Sequence, residues 1–424
     1  MKNITYNMKT ICKWNSFVFH VLILYNDLGE FMAKKKRKVN TKRIAIVVMI
    51  PAICITLLIA NFTSIRLSIK GYHKEDKKVV LKLEKEDIKD ILDYDQIIDI
   101  SKWDKVKNDA HYLLYDEYYR ASKKSVKKVV YYIDSYYERM EDLNYLGYTS
   151  DILFKNSDIY TISNLDTLIS ANVPYKKAKK YLSIKGAQIT DIKEYVASGL
   201  SPLKAVLQIS YPGIDSSKKD SRSYTIENPE DTLILIKNGF SVPSDYVPKD
   251  LRDVNIPYET EVGQMRDEAA SALEKMYKDG LKQGYSIAVK SSYRSYETQL
   301  AVYNEYFAMY DAAYAASLVS IPGSSEHQCG LSVDLTSQSV LDGTYGTFGE
   351  TPDYDWVEQN AYKYGFILRF PENAGDRTGA TNEPWHFRYV GKEAAKEIHD
   401  KGWILEDYIE HHGFTYNLRL NWRI

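Results

Sequence analysis

From Ile44 to Ala60 the chain runs IAIVVMIPAICITLLIA without a charged side chain. Extended by Asn61 and Phe62, it has about the 17–25 residues that a bilayer crossing requires. A helix that is apolar on every side has no face to give to water, so this segment must be buried. Lys34, Lys35, Lys36, Arg37 and Lys38, then Lys42 and Arg43, stand directly before it, and such a cluster is held on the cytoplasmic side. The pattern predicts a basic cytoplasmic tail over residues 1–43, a transmembrane helix over 44–62, and everything beyond outside the cell, as in a single-pass cell-membrane protein. Secretory cleavage needs an A-x-A-like site, and Ala60-Asn61-Phe62 is a poor one, so the helix is expected to stay as an anchor. Pro51 is tolerable in mid-span, where Thr56 and nearby groups can serve freed carbonyls. Residues 1–31 lack the basic-then-apolar order that Met32-Ala33-Lys34 begins. Met32 is therefore the expected true start, with 1–31 not translated.

This topology explains the charge. The whole chain has 56 basic and 57 acidic side chains, a formal net charge of −1. Eleven of the basic ones but only two of the acidic ones lie within residues 1–66, so the remainder carries about −10. The basic run leads straight into an apolar span and is expected to be a topology signal; no nucleic-acid partner is expected. Cys12, Cys54 and Cys329 are too scattered for a disulfide framework or a metal knuckle. Cys329, alone outside, is expected to be a buried small hydrophobe.

At 424 residues the chain exceeds one ordinary core. Residues 63–230 are rich in Lys, Tyr, Asp and Ile. Tyr112, Tyr115 and Tyr119, then Tyr132, Tyr136 and Tyr137, recur at helical spacing and predict amphipathic helices whose rings pack a helical core. The segments 171–178 and 197–205 look related, each setting a Pro at the first turn of a helix. SSKKDSR over 216–222, after Pro212-Gly213, is the expected linker.

From about Thr232 the composition changes, with more glycine and clustered histidine. Three segments stand out: Ser291-Ser292-Tyr293-Arg294-Ser295, SEHQCGLSVD over 325–334, and Glu383-Pro384-Trp385-His386-Phe387-Arg388. His327, Asp334 and His386 offer two imidazoles and one carboxylate, the type of set that holds a catalytic Zn²⁺ and leaves a position for water; Mn²⁺ or Fe²⁺ would also accept it. There is no H-E-x-x-H helix, and Pro384 favours an extended or turning segment. LSVDLTS alternates as a strand carrying Asp334, and Gly330 permits a tight turn between it and His327. Separate elements of a sheet must bring the ligands together. Glu383, three residues before His386, is placed to act as general base on a metal-activated water. Arg294, past the apolar run Ile287-Ala288-Val289, stands at a strand end, where a guanidinium could polarise a scissile carbonyl or grip a terminal carboxylate. Any one of these residues alone would be ordinary; their combination within about 100 residues is what points to a site.

In these residues the chain resembles the VanY-type D-alanyl-D-alanine carboxypeptidases, among the zinc peptidases that share the lysostaphin, D-Ala-D-Ala carboxypeptidase and hedgehog fold. Their motifs S-x-Y-R-S, S-x-H-x-x-G-x-A-x-D and E-x-W-H-x-R appear here as SSYRS, SEHQCGLSVD and EPWHFR. Further matches run from Ser244 to Pro248, through Gly365-Phe366-Ile367-Leu368-Arg369, to Val390-Gly391. Ser332 departs from the pattern, where the family has a small Ala. The resemblance implies His327, Asp334 and His386 as zinc ligands, Glu383 as base and Arg294 as the carbonyl-polarising arginine. It also implies Ser325 and Gln299 as substrate contacts, with Tyr293 and Trp385 from the same motifs beside the substrate. The implied fold is α+β, an antiparallel-sheet zinc peptidase domain over 231–424, behind a mostly α-helical extracellular region over 63–230. The implied reaction removes the terminal D-alanine from peptidoglycan stem peptides or their precursors. Rival readings are an L,D-carboxypeptidase acting on tetrapeptide stems, a catalytically silent domain that binds wall peptides, and an anchored scaffold whose Tyr-rich segment carries the function.

Overall fold

The computed structural model describes residues 56–57, 59–107, 110–218, 220–310 and 319–421. Met32, the basic tail and most of the expected span over 44–62 lie outside the described residues. Among the described residues no helix is long and apolar enough to cross a membrane. The chain divides into two compact units, residues 1–130 and 131–424.

The first unit is helical where it is described, with helices at Phe62–Lys70, Lys74–Val80, Lys85–Asp93, Ile100–Asp104 and Tyr112–Ser122. The tyrosines pack as expected, but the buried stripe is Tyr112, Tyr115 and Tyr118, while Tyr119 is half-buried. Trp103 anchors this core, its ring 5.6 Å from that of Tyr115. Large aromatic rings of this kind bury much area with few rotatable bonds, which suits a small helical core.

The second unit begins with short helices, among them Ile162–Ala171, Tyr175–Leu182 and Pro202–Ser210. The two related segments differ at their prolines: Pro174 is the N-cap residue and Pro202 the first helical residue. Tyr132 and Tyr136 are buried, and Tyr137 is exposed. The elements that follow, in chain order, are β1 (Ser223–Ile226), β2 (Phe240–Ser241), β3 (Leu251–Asp253), β4 (Gln264–Arg266), α1 (Asp267–Leu281), β5 (Ile287–Ser291), α2 (Tyr296–Met309), β6 (Ser332–Ser337), α3 (Pro352–Asn360), β7 (Phe366–Leu368), β8 (His386–Tyr389), α4 (Lys392–Lys401), α5 (Leu405–His412) and β9 (Leu418–Asn421). β1 lies before residue 231 and pairs with β9 antiparallel, so this sheet takes in chain that composition alone assigned to the helical region. The expected linker leads into it directly, with Ser216 N donating to Arg377 O.

The sheet that matters for chemistry has the order β5-β6-β8-β7, every neighbouring pair antiparallel. Its strands are short and apolar, with Ile287, Ala288, Val289, Val333, Leu335, Phe366 and Phe387 all buried. Each fully buried Val, Leu, Ile or Phe contributes about 1.5–3 kcal/mol. Helix α1 starts with Asp267 and Glu268, which suit the positive end of its dipole, and buries Ala269, Ala270, Leu273 and Met276 along one stripe. Ser295 caps α2 by accepting from Thr298 N.

Candidate metal centre and active site

The strand register brings the site together. Asp334 of β6 is paired directly with His386 of β8, and residues opposed in this way point to the same face of an antiparallel sheet. His327 comes from the 3-10 turn Glu326–Cys329, and the chain then reverses at Gly330, whose φ is +66°. That left-handed conformation favours glycine, and an added side chain would also have to displace the Leu251 side chain, whose Cδ2 would lie 2.8 Å away. His386 Nδ1 lies 2.9 Å from Asp334 Oδ1, and His327 Nε2 lies 3.4 Å from Asp334 Oδ2. The two imidazoles meet edge to face, with centroids 5.0 Å apart. One ligand atom from each of the three residues falls within 4.8 Å of the others.

Each histidine also has an outer partner. His327 Nδ1 is 2.6 Å from Ser292 O, and a carbonyl can only accept, so that nitrogen carries the proton and Nε2 is left as a donor to a metal. His386 Nε2 is 3.3 Å from Glu326 Oε2. Two nitrogens and one oxygen, presented together on one sheet face, fit Zn²⁺. A second group able to bind a cation, Glu397, His411 and His412, lies toward the surface, where His412 Nε2 is 3.0 Å from Glu397 Oε2.

The electrostatics follow from burial and pairing. Burial alone would raise the Asp334 carboxyl, but the adjoining histidines hold it well below the usual carboxylate range. Burial alone would lower the His386 imidazole, but hydrogen bonds to Asp334 and Glu326 push it up to about 10. A cation settling on these groups would therefore displace a proton. Glu383 sits in the turn before β8, its Oε2 3.8 Å from His386 Nδ1, on the side where the ligand atoms converge. Burial raises its carboxyl above the ordinary value, helped by the charges of Asp334 and Glu326 and opposed by His386. A carboxylate that gains affinity for a proton beside such a centre is suited to proton transfer.

Arg294 lies three residues past β5, with its backbone N donating to His327 O at 3.2 Å. Its Nη1 donates to Gln299 Oε1 at 2.8 Å and its Nη2 to Ser291 Oγ at 3.1 Å. Gln299 is 1% exposed and its Nε2 donates to Ser320 O at 2.7 Å. Both ends of this amide are engaged within the protein, one on Arg294 and the other on Ser320. Ser325 is buried at the start of the 3-10 turn, while Tyr293 and Trp385 are half-buried beside Arg294 and His386 in sequence. Cys329 is fully buried, as expected.

Five charged groups have a place that the sequence did not assign: Glu326, Arg369 and Arg388 stand in the quoted motifs without a role, and Lys237 and Glu406 stand in none. Glu326, Arg369, Arg388, Glu406 and Lys237 form a buried ionic network, with both arginines 0% exposed. Arg369 Nε and Arg388 Nη1 both donate to Glu326 Oε1, at 2.9 and 2.8 Å. Arg369 also grips Glu406 through both terminal nitrogens, at 3.0 and 2.8 Å, and Lys237 Nζ reaches Glu406 Oε1 at 3.3 Å. The available signal was charge inside otherwise buried stretches: Glu326 in SEHQCG, Arg369 in GFILR and Arg388 in EPWHFR. Ser332, where the family has Ala, is fully buried, and its hydroxyl finds no hydrogen-bond partner among the described residues.

The family model described as VanY, D-alanyl-D-alanine carboxypeptidase, matches residues 263–392. The chain is 43% identical over 197 residues to a putative carboxypeptidase, YodJ, of Bacillus subtilis, covering 46% of this chain and 72% of that protein. It is 32% identical over 226 residues to a D-alanyl-D-alanine carboxypeptidase of Enterococcus faecalis, covering 50% of this chain and 80% of that one. Among solved structures, the LdcB LD-carboxypeptidase is 41% identical, with 46% of this chain and 92% of that chain covered and a TM-score of 0.42.

Proposed function

The chain belongs to the VanY family of D-alanyl-D-alanine carboxypeptidases, and from that premise we propose a zinc-dependent hydrolase that removes the terminal D-alanine from peptidoglycan stem peptides or their precursors. The observation that carries this reading is the convergence of His327, Asp334 and His386 on one sheet face with Glu383 beside them. His327, Asp334 and His386 would hold the ion, which supplies Lewis acidity toward water and the scissile carbonyl. Glu383 accepts the proton of the attacking water and returns it to the departing amine. Arg294, held by Gln299 and Ser291, presents its guanidinium to the substrate's carbonyl oxygen or terminal carboxylate. Ser325, Tyr293 and Trp385 supply the surrounding contacts.

The basic run followed by the apolar segment 44–62 supports anchoring by one helix, with the amino end inside and the hydrolase outside, where peptidoglycan lies. Incubating the purified protein with defined tri-, tetra- and pentapeptides, read by mass spectrometry, tests the activity. Release of D-alanine from the pentapeptide is expected. Release from the tetrapeptide alone would assign L,D specificity, and peptide binding without release would make this a wall-peptide receptor.

A further inference from the structure

Glu326 adjoins one candidate ligand, His327, in sequence, yet its carboxylate turns to the other, His386. It is 4% exposed. Oε1 accepts from Arg369 Nε at 2.9 Å and Arg388 Nη1 at 2.8 Å, which leaves Oε2 facing His386 Nε2 at 3.3 Å. Arg369 is itself clamped by Glu406, so the carboxylate cannot rotate without breaking buried charge-assisted bonds. An imidazole whose Nε2–H donates to a fixed carboxylate keeps its lone pair on Nδ1. Nδ1 is the nitrogen that faces Asp334, at 2.9 Å. His327 is held in the opposite sense, through Nδ1 to Ser292 O, which frees Nε2. Without an outer acceptor at Nε2, His386 could carry its proton on the inward nitrogen.

The geometry points to Glu326 as a positioning residue for metal binding, which holds His386 in the Nε2–H form so that Nδ1 is the ligand. This rests on the metal site proposed above. Glu326→Gln keeps the shape and reverses the polarity. The amide oxygen stays with the two arginines, so the NH₂ faces Nε2 and the proton is driven to Nδ1. The dissociation constant for zinc, measured by competition with a chromogenic chelator, is expected to rise about 10- to 100-fold. Glu406→Gln is the control, because it disturbs the same network through Arg369 without touching His386. Its zinc affinity is expected to stay within about twofold of the parent while its stability falls. Equal loss of zinc in both variants would overturn the inference.

A second measurement needs no variant. In the zinc-loaded parent protein, ¹⁵N-histidine NMR is expected to show His386 Nε2 protonated and Nδ1 without a proton, and the reverse would refute it. The two readings fail separately. A parent protein that binds no zinc dependent on His327 sinks the metal site itself. Normal parent binding with an unchanged constant in Glu326→Gln sinks only the role of Glu326.

Discussion

Replacing Gln299 by Ala should lower catalysis without touching the substrate. Gln299 is 1% exposed, and its two polar atoms join Arg294 Nη1 to Ser320 O. The variant removes one of the two hydrogen bonds that fix the guanidinium and leaves the one to Ser291 at 3.1 Å. A hydrogen bond to a charged group contributes about 1.5–3 kcal/mol. If Arg294 must be in place only when charge develops on the substrate, that loss appears in the barrier as a fall in kcat/KM of about 10- to 100-fold. The assay is D-alanine release from a stem pentapeptide, with kcat and KM resolved, alongside a folding control for the lost Ser320 partner. A double-mutant cycle with Arg294→Ala decides the mechanism. If Gln299 acts only through Arg294, removing it from the Arg294→Ala protein costs nothing further. Additive losses, or a single variant within about twofold of the parent, would refute the argument.

Glu383→Gln should retain zinc at the parent stoichiometry and lose about 10²- to 10⁴-fold in kcat, and loss of the metal or full activity would remove Glu383 from the role of base. Ser332→Ala should raise the unfolding free energy by about 1 kcal/mol, read as a higher urea midpoint, since it removes a buried hydroxyl without a partner among the described residues; a lower midpoint would show that the hydroxyl is satisfied. Lys237 gives a pH signature. Burial lowers its amine to about 8 against the opposing charge of Glu406, whereas the unfolded chain keeps that proton to about pH 10.4. Between about pH 8 and 10 the unfolded state therefore binds more protons, and stability should rise with pH by up to about 3 kcal/mol. Urea unfolding at several pH values checks this, and a rise of the same size in Lys237→Met would rule Lys237 out as its source.

The residues that would bind a metal were legible because ligation depends on residue type. Two histidines and an aspartate are a donor set that suits a metal, and Gly330 and Pro384 mark turns beside them. The strand around Asp334 was equally plain from its alternation. The supporting charges were not legible. Glu326, Arg369 and Glu406 lie far apart in the chain and resemble ordinary solvated residues until packing closes over them. A similar limit applied to Gln299, whose place in the α2 turn is visible but whose burial depends on the segment at Ser320.

The sequence by itself determined which groups are on offer: two histidines and an aspartate able to ligate a metal, a glutamate and an arginine near them in motif, and an apolar run preceded by positive charge. These follow from residue type and local spacing, which any conformation of the chain retains. Only the tertiary structure decided which nitrogen of each histidine faces inward, because that depends on the Ser292 carbonyl and the Glu326 carboxylate reaching the rings from other elements. It also decided that β1 pairs with β9 across nearly 200 residues of chain. Pairing at that range is set by burial and register, and neither is written at any one position.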